Sequence, residues 1–476
     1  MMTTNTQAIR VRFAPSPTGH LHIGGLRTAI FNWLFARHNN GTFLVRIEDT
    51  DRERFKQEYV DSIIASLQWS GLVSDEPIVV QSERLPEHTA LVEQLLAQKK
   101  VYRCYCSEQE VLARHAQKYG PQDAFIKYDG HCRDREPKDI SLSSVIRFAL
   151  PRDIQHISFD DMIRGTVTFD MNQFDDFIIV RSDGRPVYNF VVVADDAFMN
   201  ITHVVRGEDH IPNTPKQIFL FQACGYVVPQ FAHLPLILGP SGDKLSKRDG
   251  AVSAVEYKAK GYLPEALINY LVRLGWSHGD QEKFTQDELI HLFSLDQVGK
   301  KGAIFDTDKL NWMNGVYIRE KTAQELFNYI TNYLAPDFID AVPAWNEQQV
   351  LQLLQLYKDR VLLMSELMEA LIALYTAPHT YLQADVDKWI GSSTSAHLHE
   401  FVQIIEKLPT YTVDSITDAV KTWCKAQGIS LAHIAQPLRI ALVGKTASPG
   451  IFDLVSIIGK QETISRIQIF LRHIDN

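Results

Sequence analysis

The chain has 476 residues, 45% of them hydrophobic and 22% charged. That is enough for two to four domains with sizeable buried cores, and too apolar for a disordered chain. A formal net charge of −9 excludes a uniformly basic nucleic-acid-binding surface, so any RNA contact needs a local basic stripe. No apolar run approaches the roughly 20 residues that cross a bilayer. The first ten residues lack the apolar core of a secretory leader, and five cysteines, an odd number, suit reduced thiols better than a disulfide framework. A cytoplasmic protein is expected.

In chain order, Arg10 to Ala14 alternates charged and apolar residues and reads as a strand, followed by the turn Pro15-Ser16-Pro17-Thr18-Gly19. Leu26, Ala29, Ile30, Trp33 and Leu34 recur at helical spacing and predict one buried helix face, stopped by His38-Asn39-Asn40-Gly41. Thr42 to Ile47 is β-prone, so strand, helix and strand predict the start of a parallel sheet with a right-handed crossover. The acidic run Glu48-Asp49-Thr50-Asp51 then falls at the carboxyl end of the second strand, where open α/β sheets place ligands. Neighbouring carboxylates cannot all face one ion, so a metal site there is disfavoured.

From about residue 101 the character changes, through Cys104, Cys106, Gly120-Pro121 and the charged stretch Arg133 to Lys138. Short β-prone runs at Val145 to Leu150, Thr166 to Phe169 and Phe177 to Arg181 predict a mixed insertion. Ile201 to Val205 reads as a returning strand, and Asn213-Thr214-Pro215 as an N-cap with proline in the first helical turn. Helices are predicted over Leu263 to Leu274 and Thr285 to Phe293. A long amphipathic segment follows, with Val350, Leu353, Leu354, Tyr357, Val361, Met364 and Met368 as a core stripe. No regular series of strands is expected after residue 330.

Two stretches carry chemistry. His20-Leu21-His22-Ile23-Gly24-Gly25 opens the first helix, and Lys244-Leu245-Ser246-Lys247-Arg248 lies about 220 residues downstream. A helix N-terminus with glycines and imidazoles accepts phosphate. A lysine-rich loop stabilises the charge that spreads when a triphosphate is cleaved without a covalent enzyme intermediate. Taken singly, the first is a strand-to-helix turn and the second a solvated loop.

As an ordered pair they resemble the HIGH and KMSKS signatures of class I aminoacyl-tRNA synthetases, in the versions found in bacterial glutamyl-tRNA synthetases. The likeness extends through Val45 to Asp51, Tyr128 to Cys132, Tyr188 to Phe190, Val205 to His210 and Gly261 to Leu267. It implies an α/β protein: a Rossmann-like parallel-sheet catalytic domain (1–100 and 186–250) with an α+β acceptor-stem-binding insert (101–185). A stem-contact domain (251–325) and an all-α anticodon-binding region of two subdomains (326–476) would follow.

The implied activity is ATP-dependent ligation of L-glutamate to tRNA(Glu) through glutamyl-adenylate, with transfer to the 2'-hydroxyl of the terminal adenosine. Whether tRNA(Gln) is also charged stays open. His20, His22, Lys244 and Lys247 would be catalytic. Gly24, Gly25, Asp209 and His210 join His22 and the two lysines around ATP, whose Mg²⁺ arrives with the nucleotide. Arg12 and Arg206 would hold the glutamate side chain, since a guanidinium fork binds carboxylate bidentately. Glu48 would take the substrate ammonium, with Ser16 and Tyr188 adding hydrogen bonds and packing.

Cys104, Cys106 and Cys132 resemble the zinc knuckle of some family members, with Asp134 standing where those sequences have Cys or His; a structural Zn²⁺ is the implied cofactor. Lys358, Arg360 and Arg439 are candidate RNA contacts or solvated helix charges. A monomer is expected. The alternatives are a glutaminyl enzyme with a β-rich tail, a shorter tRNA-modifying glutamyl-transferring paralogue, and a non-catalytic RNA-binding paralogue.

Overall fold

The computed structural model describes residues 8–51, 53–119, 126–135, 142–245, 253–335, 338, 342 and 345–475. The chain divides into two compact units, Met1–Glu256 with Leu267–Thr307, and Tyr257–Ala266 with Asp308–Asn476.

The first unit opens as the sequence pattern requires. Strand β1 (Arg10–Phe13) leads to helix α1 (Ile23–His38) and strand β2 (Thr42–Ile47). β1 and β2 pair in parallel from Arg10↔Thr42 to Phe13↔Val45, and β2 pairs in parallel with β3 (Val79–Val80). The predicted apolar face of α1 is too narrow: Arg27, Phe31, Asn32 and Phe35 are buried as well. A helix enclosed on most sides shows little periodicity, because its polar side chains must also go inside. Asn32 uses that position, its Nδ2 donating to Thr28 O at 2.8 Å and Val205 O at 3.0 Å.

Beyond α2 (Gln57–Trp69) and α3 (Leu85–Ala97), strands β4 (Val101–Cys104), β5 (Val145–Phe148) and β8 (Ile178–Val180) form an antiparallel sheet, with helix α4 (Glu108–Tyr119) between β4 and β5 in sequence. The hairpin β6 (His156–Asp161) and β7 (Gly165–Asp170) lies on the edge of another sheet, in which β10 (Gln230–Leu234) is parallel to both β6 and β9 (His203–Gly207). The backbone links β1 to the approach to β9, Thr202 N donating to Arg10 O at 3.0 Å. Helix α5 (Tyr188–Phe198) precedes β9, and α6 (Thr214–Cys224) joins β9 to β10. Asn213 occupies the N-cap of α6 without a side-chain capping bond, a departure from the predicted cap. Leu95, Ile146, Phe148, Ile179, Phe190, Val193 and Leu220 form one core under these elements.

The second unit is helical from Thr307–Glu320 onward, and among the described residues no strand follows Ala303–Ile304. Leu398, Phe401, Ile416, Val420, Leu438, Ile467 and Phe470 make its principal core. The long amphipathic segment is two helices, Glu347–Tyr357 and Met364–Tyr375, broken by a 3₁₀ turn at Lys358–Arg360 and extended backbone at Val361 and Leu363. Val350, Leu353, Leu354, Tyr357, Val361 and Met364 are buried as predicted. Met368 is only half-buried, because the second helix starts a new phase and turns Leu367 and Leu371 inward. Among the described residues no helix is long and apolar enough to cross a membrane.

Candidate active site

A cleft of about 500 Å³ opens at the carboxyl ends of β1, β2, β9 and β10. It is lined by Arg12, Ser16, His22, Gly24, Gly25, Glu48, Tyr188, Arg206, Asp209, His210 and Lys244. Parallel strands converge there because β1 delivers Arg12, the end of β2 delivers Glu48 and β9 delivers Arg206. His20 does not line this cleft. Its ring lies against α2, with Nδ1 2.9 Å from Ser62 Oγ and an edge contact to Tyr59. Lys247 lies outside the described residues. The nearest described residues on either side are Leu245, which lines the cleft, and Ser253, which bridges to His22.

His22 caps α1. Gly25 N donates to His22 Nδ1 at 3.1 Å, so that nitrogen carries the lone pair and Nε2 the proton. Burial, reinforced by Lys244, pushes the His22 pKa down, and the ring remains a neutral donor. A Cβ on Gly24 would meet His22 Nδ1 at 3.0 Å, and one on Gly25 would meet Leu21 Cδ1 at 2.8 Å. The glycines therefore serve close approach, the Gly25 amide being taken by the His22 cap and that of Gly24, which has no intrahelical partner, lying at the cleft wall. Lys244 Nζ stands 3.9 Å from Asp209 Oδ2 and is largely exposed.

The opposite end of the cleft is a buried charge cluster. Arg12 donates from Nε and Nη2 to the two oxygens of Asp196 at 3.0 and 3.2 Å. Arg46 Nη1 reaches the same Asp196 Oδ1 at 2.6 Å, and its Nη2 reaches Glu48 Oε1 at 2.9 Å. Burial opposes the charge on Arg46, but Asp196, Glu48 and Asp195 outweigh it and push its pKa up. Burial likewise opposes ionisation of Asp196, yet Arg12 and Arg46 hold its pKa down. Burial pushes the Glu48 pKa up despite Arg46 and Arg12. Arg206 adds a third buried guanidinium. Tyr188 Oη lies 3.0 Å from His210 Nδ1, and burial together with Arg206 lowers the His210 pKa to about 4. Three guanidiniums, Arg12, Arg46 and Arg206, face the carboxylates of Asp196 and Glu48, Asp195 being matched by its own partner Arg84, so the floor of the cleft is positive and suited to an anionic side chain.

Arg46 and Asp196 escaped the sequence reading. Their signal was a charge within a largely apolar run, Thr42 to Ile47 for one and Phe190 to Phe198 for the other. A buried charge demands a partner. Arg10, on the same strand as Arg12, is spent on Glu76 at 2.7 Å and Met199 O at 2.9 Å. The acidic run after β2 is dispersed in the same way: Asp49 accepts from Ser82 N and Oγ, and Asp51 from Arg54.

The sulfur ligands of Cys104, Cys106 and Cys132 lie within 4.8 Å of one another. Asp134 is not in that group, since its carboxylate pairs with Arg152 Nη1 at 3.0 Å. The phenol of Tyr128 reaches the cluster instead, at 3.3 Å from Cys104 Sγ and 2.7 Å from Cys132 N. Of the RNA candidates, Lys358 is buried and donates to Lys321 O at 2.8 Å, and Arg439 is held by Ser448 Oγ and Pro449 O. Arg360 is exposed.

Comparison with known proteins agrees with this geometry. Residues 8–312 match the family model for the catalytic domain of class I tRNA synthetases (E and Q), and residues 324–471 match an anticodon binding domain. The glutamate--tRNA ligase of Pelobacter propionicus is 44% identical over 97% of both chains, and that of Geobacter sulfurreducens 43% identical over 97% of this chain and 98% of its own. A crystal structure of a glutamate tRNA ligase from Elizabethkingia meningosepticum in complex with its amino acid superposes with a TM-score of 0.85 at 33% identity, covering 98% of this chain and 99% of that one. The chain belongs to the class I tRNA synthetase family that comprises the glutamyl and glutaminyl enzymes.

Replacing Gly24 with alanine places a methyl against the His22 ring. The expected result is a rise in ATP KM of about tenfold, on the order of one hydrogen bond to a charged group, with glutamate KM little changed in steady-state aminoacylation. An unchanged ATP KM would remove the proposed fit between the glycine turn and the nucleotide.

Proposed function

We propose that this protein attaches L-glutamate to tRNA(Glu) at the expense of ATP, through glutamyl-adenylate, releasing AMP and diphosphate. The observation that carries the reading is the polarity of the cleft. One end has the capped helix N-terminus with His22, and the other has the buried guanidiniums Arg12 and Arg206 beside Glu48.

Activation needs no protein nucleophile, because the amino acid α-carboxylate itself attacks the α-phosphorus. The protein must align two anions and offset the charge that grows on the phosphates. His22 Nε2–H and the Gly24 amide in the first turn of α1 supply neutral donors at one end. Lys244 supplies a cation, and Lys247 the second in this reading. At the other end Arg12 and Arg206 take the side-chain carboxylate of glutamate, Glu48 takes its ammonium, and Ser16 and Tyr188 complete the wall. Asp209 and His210 lie on the nucleoside side. Mg²⁺ comes as the counter-ion of the nucleotide. His20, turned to α2 and not lining the cleft, has no role at the reacting atoms in this reading.

In this reading residues 1–100 and 186–250 form the catalytic domain. The insert 101–185 holds the acceptor end, 251–325 contacts the stem, and 326–476 reads the anticodon. The helical character of the second unit favours the glutamyl over the glutaminyl architecture, and the match over 324–471 speaks against the shorter modifying paralogue. The protein acts in the cytoplasm as a monomer.

The three thiols fit a structural zinc by donor chemistry and proximity. Tyr128 Oη is the oxygen available as fourth donor.

Two outcomes test this reading. Arg206→Ala should raise glutamate KM by about 10- to 100-fold, the scale of a lost charged hydrogen bond, with little change in ATP KM. Equal loss for both substrates would mean collapse of the pocket instead. Metal analysis of protein purified without chelator should find about one zinc per chain, in keeping with a four-ligand structural site. Zinc should be retained in Asp134→Ala and lost in Cys106→Ser; loss in Asp134→Ala would restore the aspartate as a ligand.

A further inference from the structure

Arg206 is anchored differently from Arg12. Its Nε donates to His233 Nε2 at 3.1 Å, its Nη1 to Gln217 Oε1 at 2.8 Å and its Nη2 to Thr214 Oγ1 at 2.9 Å. None of these acceptors is a carboxylate. Behind His233 stands Asp161, at the end of the β6–β7 hairpin, with Oδ2 2.6 Å from His233 Nδ1. The other oxygen, Asp161 Oδ1, accepts from the backbone N–H groups of Ile163 at 3.0 Å, Arg164 at 2.8 Å and His233 at 3.3 Å. All three side chains are buried: His233 is 0%, Asp161 4% and Arg206 5% exposed.

Hydrogen-bond polarity fixes the proton. A guanidinium Nε–H only donates, so His233 Nε2 must offer its lone pair and the ring proton must sit on Nδ1, donated to Asp161. We propose that Asp161 and His233 are positioning residues for glutamate recognition: Asp161 locks His233 in the Nδ1–H form, and His233 sets the plane of the Arg206 guanidinium that receives the substrate's side-chain carboxylate. The inference rests on the glutamate-binding reading of Arg206 given above.

The physical advantage is one of charge. A carboxylate placed directly on Arg206 would orient it but also cancel its attraction for an acidic ligand, as Asp196 partly does for Arg12. A neutral imidazole in between orients the fork while moving the anion one ring further away, where its Coulomb interaction is weaker. Gln217 and Thr214 are neutral for the same effect. Arg206 thus enters the cleft held in place but electrostatically unspent.

The test is a double-mutant cycle on the full chain, read as glutamate KM and ATP KM in aminoacylation with saturating tRNA. In Asp161→Asn, Oδ1 keeps its three backbone donors and the amide turns an N–H toward His233 Nδ1. The ring proton moves to Nε2, where it opposes Arg206 Nε–H. Glutamate KM should rise about tenfold or more while ATP KM holds. His233→Gln presents a carbonyl oxygen to Arg206 and has no tautomer to lock, so adding Asp161→Asn to it should cost nothing further in glutamate KM. The proposal is overturned if Asp161→Asn leaves glutamate KM unchanged, raises both KM values alike, or has the same effect with Gln at 233 as with His. Arg206→Ala separates the two levels. If it spares glutamate KM, the glutamate-binding reading itself fails; if it raises glutamate KM while Asp161→Asn does not, only the positioning role fails.

Discussion

The carboxylate of Asp196, fully enclosed and shared between Arg12 and Arg46, is the constraint from which the rest of the site follows. Neither arginine could stay buried without it. Removing one partner from such a pair costs about 3–5 kcal/mol because it strands a charge away from water. Through Arg46 the same carboxylate is tied to Glu48, so functional side chains from β1 and from β2 and its carboxyl end are fixed by one helix residue. The cluster keeps an excess of guanidiniums, which in the proposed reading an acidic amino acid completes. Binding and folding draw on the same electrostatic deficit.

The other half of the cleft relies on geometry more than on net charge. His22 spends Nδ1 on the cap of α1 and keeps Nε2–H for the ligand, and its neutrality follows from burial beside Lys244. Neutral donors and lysine cations, as in the proposed reading, suit a triphosphate whose charge redistributes during reaction. A rigid array of buried cations would bind the ground state as well as the transition state and gain nothing in rate. In the proposed reading the two halves divide the work accordingly, the guanidiniums selecting the substrate and the helix terminus serving the chemistry.

Much of this was legible in the residues. Strand, helix and strand at the start and the helical second half followed from periodicity, while most of the cleft lining followed from the family resemblance that the two motifs opened. What stayed hidden was hidden for physical reasons. α1 is enclosed on most sides, so its apolar face is no guide to Arg27 or Asn32 as interior residues. The segment from Val350 to Met364 keeps a helical period across a break, because Tyr357 and Val361 are buried on either side of the turn. Asp134 has the right spacing from Cys132, yet Arg152 claims its carboxylate. His20 has the right motif position, yet Ser62 and Tyr59 hold its ring. Arg46, Asp161, Asp196 and His233 belong to no short motif, since their partners lie far along the chain. Only the oddity of a charge in an apolar run announced some of them.

The most direct test of this electrostatic division is a structure of the protein with a non-hydrolysable glutamyl-adenylate analogue. The account predicts the side-chain carboxylate within hydrogen-bond reach of both Arg12 and Arg206, the ammonium at Glu48, and the phosphate group at His22 and the first turn of α1. A side-chain carboxylate bound away from both guanidiniums, or a phosphate outside the turn capped by His22, would contradict it.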